Sequence, residues 1–159
     1  RVRWMTAERL QERLCVELRE ITKNIDFEDQ DGNQSDLSVF KQCLPRKENE
    51  DESDPFPFCV VKLGENDVKS VSENQTQTVV LYFGLYYDKA DCQYQHTMLT
   101  MMETIKRRFL TNPILGEFTC HPQMKGVLDP EDEMTYPRYF AGMTLTFDLP
   151  NYEREDEFS

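Results

Sequence analysis

Leu10, Leu14, Leu18, Ile21 and Ile25 recur at spacings of four, four, three and four, one apolar stripe on a helical period. The spacing predicts a helix from Thr6, which can cap it, to about Ile25, with Glu8, Arg9, Glu12, Arg13, Glu17, Arg19 and Glu20 on the opposite faces. A second stripe, Tyr94, Met98, Met101, Ile105 and Phe109, predicts a helix over about Cys92 to Thr111. Pro113 lies beyond its end, and Lys106, Arg107 and Arg108 fall in its last turns, where cations complement the helix dipole. Elsewhere the period changes to two. From Thr76 to Tyr86, Val79, Leu81, Phe83 and Leu85 point one way while Val80, Tyr82, Gly84 and Tyr86 point the other. Both faces are apolar or aromatic, so this strand calls for cover on both sides, the second of which another subunit can provide. From Arg138 to Leu149, Met143, Leu145, Phe147 and Leu149 alternate with Thr144, Thr146 and Asp148, the pattern of a strand with one apolar and one polar face.

Three shorter strands complete the set. Leu37 to Leu44 is ended by Pro45, and Phe58 to Leu63 is ended by Gly64. Pro55 and Pro57 deny backbone donors at the start of the latter, which places it at a sheet edge. Glu117 to Met124 is interrupted by Pro122. Asp26 to Asp36, Lys47 to Asp54 and Glu65 to Gln75 are polar and read as loops. The order helix, three strands, helix, two strands predicts the α+β class: a mainly antiparallel sheet of four to five strands packed against two helices. Residues 1–152 form one domain and 153–159 a charged tail.

Composition narrows the function classes. The 159 residues carry 18 Lys+Arg against 30 Asp+Glu, a net charge of −12. That balance repels phosphates, whose capture needs neutralising cations, so sequence-specific nucleic-acid binding and attachment to anionic lipid are disfavoured. No apolar run approaches the ~20 residues of a membrane span. The five cysteines, at 15, 43, 59, 92 and 120, are widely spaced with no CxxC or CxH pair, so they read as free thiols and a zinc site is not expected.

Motifs for chemistry are sparse. If Gly32 were the sixth position of a calcium loop, positions one and twelve would be Phe27 and Ser38, where carboxylates are required. Cys120 and His121 are strand neighbours facing opposite sides, whereas Cys92 and His96 stand one helical turn apart without an accompanying glycine-rich turn. No dinucleotide, P-loop, zinc-protease or nucleophile-elbow signature occurs. The expectation is therefore an interaction protein without catalytic residues, metal or cofactor. Met98, Met101 and Met102 serve either as core filling or as an adaptable binding face.

One ordered series carries a resemblance: Leu44-Pro45, Pro55 to Leu63, Val79 to Asp88, the helix with Met98, Leu99, Met102, Ile105 and Leu110, then Tyr136-Pro137-Arg138-Tyr139-Phe140-Ala141-Gly142, the alternating strand and Pro150. Over about residues 5 to 155 the chain resembles the tail terminator (tail completion) proteins of long-tailed bacteriophages, in the siphophage form. The resemblance implies a virion structural protein at the head–tail junction, assembled in the host bacterial cytoplasm. Such proteins form a homo-hexameric ring that caps the head-proximal end of the tail tube, stops its polymerisation and offers the docking surface for the head–tail connector. DNA passes through the bore without sequence-specific binding, and an acidic bore lets it slide. Arg107, Arg108, Tyr139 and Tyr152, large polar-tipped groups near element ends, are the candidate subunit contacts. Two other readings stand beside this one: a head-completion or neck connector of the same particle, and an acidic inhibitor that mimics the charge of DNA.

Overall fold

The computed structural model describes residues 6–49, 54–70 and 73–150. The first helix, α1 (Thr6–Thr22), buries Leu10, Leu14 and Leu18 as the stripe predicts. It stops three residues before Ile25: the Thr22 hydroxyl donates to the Leu18 carbonyl at 2.7 Å, and the chain turns with Ile25 N–H bonded to Thr22 O. The second helix, α2 (Tyr94–Thr111), buries Met98, Met101, Met102, Ile105 and Phe109, so the methionines fill the core. A third short helix, α3 (Asp132–Thr135), has no buried residue to mark it in the sequence.

The sheet differs from the sequence expectation. Instead of four to five mainly antiparallel strands on two helices, the described residues form three helices, a mixed seven-stranded sheet and a separate two-stranded one. The small sheet pairs β1 (Phe27–Glu28) with β2 (Gln34–Ser35), inside the segment read as a loop. Two-residue strands leave no periodic trace. This pair is held by Phe27, which is buried, and by Asp29 Oδ1, which accepts the N–H groups of Asp31 and Asn33 at 2.9 and 3.0 Å around Gly32. Gly32 takes a left-handed φ of 80° that disfavours a side chain.

The large sheet runs in the order β3 (Ser38–Lys41), β4 (Phe58–Asp67), β5 (Thr76–Tyr86), β9 (Arg138–Asp148), β7 (Phe118–Cys120), β6 (Ile114–Leu115). The short β8 (Lys125–Leu128) pairs with another stretch of β9. β3 is parallel to β4, which makes the sheet mixed, and β4 lies inside it rather than at its edge. The prolines are compatible with this because both precede the ladder. Pro57 needs no donor there and accepts the Ser38 N–H at 3.0 Å, starting the parallel pairing.

Both helices cover one face of this sheet. Leu10, Leu14, Leu18, Met98, Met101, Ile105 and Phe109 pack with Val79, Leu81, Phe83, Leu85, Met143, Leu145 and Phe147 in one core. Phe109 meets Phe147 edge-on at 5.5 Å between ring centres. Each such side chain taken from water contributes about 1.5–3 kcal/mol. Two buried amides are tied down: Gln11 Nε2 donates to the Val61 carbonyl at 2.8 Å, joining α1 to β4, and Gln77 Nε2 donates to the carbonyls of Gly64 and Thr78 where the β4–β5 register shifts. No helix among the described residues is long and apolar enough to cross a membrane.

Candidate functional site

Strand alternation sends every second residue of β4, β5, β8 and β9 away from the helices, and the register aligns them in rows. One row is Phe58, Gly84 and Phe140. The next is Val60, Tyr82, Gly142 and Val127, extended on β3 by Phe40. A third is Lys62, Val80, Thr144 and Lys125. No helix among the described residues lies on these rows. Cover is partial and comes from the segment before β4: Phe56 sits over Phe58 at 5.2 Å and over Tyr86 and Phe140 at 6.2 Å. Gly84 makes room for this cap, since a side chain there would run into the Phe58 ring and reach Phe56 at 3.0 Å. Phe56, Phe58 and Val60 thereby form a small second core.

Beyond Phe56 the face is open. Tyr82 is 49% exposed, Phe140 36% and Val127 62%, and they lie on adjoining strands. A soluble surface scatters single apolar residues, but a contiguous set of large ones marks a contact surface. The two lysines at the ends of the third row have no ion-pair partner among the described residues, and the three rows hold no carboxylate. On a chain of net charge −12 this makes a locally cationic, apolar patch.

Three of the four residues selected from the sequence, Arg107, Arg108 and Tyr139, lie elsewhere. Arg108 is engaged within the chain: its guanidinium pairs with Glu17 of α1, donates to the Asn112 carbonyl and reaches the Ile114 carbonyl at 3.0 Å. It fixes the end of α2 against α1 and the turn into β6. Arg107 is exposed, with no ion-pair partner among the described residues. Tyr139 is only 7% exposed; its ring stacks on Tyr94 at 3.5 Å between centres and meets Tyr136 edge-on at 6.4 Å. Tyr152 and the charged tail lie outside the described residues. The tyrosine cluster extends along the start of α2, where Tyr94 hydroxyl bonds Asp132 and Tyr87 hydroxyl bonds Asp91 at 2.5 Å. The Asp91 carboxylate, accepting that bond, pushes the Tyr87 phenol up to about 12 and is itself held below the usual carboxylate range.

Cys120, one of the two candidate nucleophiles, is a packing group, as is Cys15. Burial pushes the Cys15 thiol up to about 11 and that of Cys120 to about 12, the opposite of activation. His121 turns from Cys120 to Asp148, with Nε2 2.8 Å from the carboxylate. Cys92 and His96 are both exposed and no hydrogen bond joins them. Among the described residues no group of His, Cys, Asp and Glu is placed to hold a metal ion. No protein-family model matches the chain, and no curated protein matches it.

The open face was partly legible. The two-sided apolarity of Thr76–Tyr86 calls for cover on both sides, and within the chain the second side receives only the partial cap of Phe56; Val127 and Lys125 join that side only through the pairing of β8 with β9.

Proposed function

We propose that this chain is a virion structural protein that assembles as a ring on the head-proximal end of a phage tail tube, halting tube growth and presenting the surface to which the head connector docks. The observation that supports this reading best is the open apolar sheet face. One side of the sheet is sealed by two helices, while the other exposes Tyr82, Phe140 and Val127 around an aromatic cap. An uncovered sheet face needs cover from another chain, which an assembly subunit obtains on incorporation. The order of motifs from Leu44 to Pro150 supports the tail-terminator identity in particular. The bore of the ring passes DNA, and the acidity of the chain keeps phosphates from adhering.

Electron microscopy of tails assembled with and without the protein tests the reading. Overlong tubes in its absence, restored to uniform length by adding it back, are the expected result. Tubes of normal length with unjoined heads would instead assign it to the neck.

A further inference from the structure

We propose that in the free chain the open sheet face is occupied by the chain's own residues 151–159, which lie outside the described residues and return over the face as an acidic, aromatic strap. The inference concerns the single chain before any assembly and goes beyond the ring-forming reading.

Composition selects the occupant. The three rows of the face carry Lys62 and Lys125, neither with an ion-pair partner among the described residues, and leave Tyr82, Phe140 and Val127 exposed. A fitting occupant brings carboxylates for the two lysines and apolar groups for the exposed rings. Four segments of the chain lie outside the described residues. Residues 1–5 hold Arg1 and Arg3 and no carboxylate, the same sign as the face. Residues 50–53 are acidic without an apolar side chain, and residues 71–72 are a valine and a serine. Residues 151–159 hold both kinds of group: Glu153, Glu155, Asp156 and Glu157 against the single Arg154, together with Tyr152 and Phe158.

The place where this segment leaves the fold puts the face within reach. β9 ends at Asp148, and the Leu149 N–H still bonds the Gln75 carbonyl at 2.8 Å. Pro150 removes the next donor and, with Asn151, makes a dipeptide suited to the centre of a turn. Strand alternation puts Thr144, Thr146 and Asp148 on the open side. The lysine row crosses β9 at Thr144, four residues before Asp148, or about 13 Å at 3.3 Å per residue. Nine extended residues reach about 30 Å. Toward the exit stand Glu65, Asp67 and Asp148, the last 2.8 Å from His121 Nε2. Glu153 and Arg154 cancel in charge as the returning segment passes them. Glu155, Asp156 and Glu157 then come level with Lys62 and Lys125, and Phe158 with Tyr82 and Val127. Tethering holds the segment at high local concentration over the face. Exposed ion pairs are weak, so the strap yields when the broader surface of an assembly partner arrives.

Zero-length carbodiimide cross-linking of the full chain, read by peptide mass spectrometry, tests this. Links from Lys62 or Lys125 to Glu155, Asp156 or Glu157 are expected in the species of one chain's mass, with fewer of them at high salt. Such links confined to the two-chain species would seat the segment on a neighbouring copy and overturn the proposal. So would an absence of links between these lysines and the segment. Hydroxyl-radical labelling of Tyr82 and Val127 is the second readout. Reversing the segment's charge (Glu155→Lys with Glu157→Lys) is expected to shift it about tenfold toward release and to raise labelling at both positions. Reversing the face as well (Lys62→Glu with Lys125→Glu) should restore the protection. Labelling that ignores the segment's charge, or that the second pair of substitutions fails to restore, overturns the proposal. Lys62 and Lys125 are exposed, and an unchanged thermal unfolding midpoint confirms that the variants fold. Tube length is read separately by microscopy, so failure of the strap leaves the proposed function standing.

Discussion

Single residues set the relief and the titration of this surface. Gly84 is the clearest case, because the aromatic cap of Phe56 and Phe58 occupies the space a side chain would need. Gly84→Ala is expected to cost about 1–3 kcal/mol by overpacking, read as a lower midpoint in urea. An unchanged midpoint would show that the cap shifts freely. Tyr87 provides a second test. Its hydroxyl donates to Asp91, which raises its value from 10 to about 12. Because the folded value lies above the unfolded one, the bond's contribution is complete below pH 10 and is lost as pH rises through about 12. Asp91→Asn should return the titration of Tyr87 toward 10, followed by tyrosinate absorbance. A titration that stays near 12 in the variant would assign the shift to something other than the carboxylate.

At the scale of elements, the helix layer is held by the stripe that its periodicity announces. Phe109, buried on α2 and edge-on to Phe147 of β9, joins that layer to the sheet. Phe109→Ala is expected to destabilise the fold by about 3–5 kcal/mol, measured by chemical denaturation. A loss below about 1 kcal/mol would mean that α2 is not anchored through this contact. The two longest strands were legible because eleven residues of consistent alternation outweigh local exceptions, whereas Phe58–Asp67 was expected to end at Gly64 and continues through it past a register shift. Thr76–Tyr86 was read to its ends, and Arg138–Asp148 to within one residue. The short ones were not. β1, β2, β6 and β8 have two to four residues each, too few for a period, and their pairing is decided by partners distant in sequence. The parallel start of β3 on β4 was hidden for the same reason, since it depends on the Pro57 carbonyl meeting Ser38 across a long connection. The candidate contacts show a similar division. Large polar-tipped residues near element ends are just as suited to fastening their own chain, as Arg108 does through Glu17 and Tyr139 through Tyr94. The exposed patch instead gathers Tyr82, Phe140 and Val127 from separate strands, and their adjacency is a property of the register.

The whole molecule presents two unlike sides, a sheet face left open around its aromatic cap and an opposite face sealed by two helices. That asymmetry suits a subunit that polymerises head to tail and closes on itself. The net charge of −12 adds long-range repulsion between free copies, which salt screens. A reconstruction of the intact particle at the junction of head and tail tests the central claim most directly. The account predicts a single ring of this chain on the last ring of the tube, beneath the connector, with Tyr82 and Val127 of each copy covered by another chain. Density for the chain elsewhere in the particle, or its absence from the particle, would contradict the account.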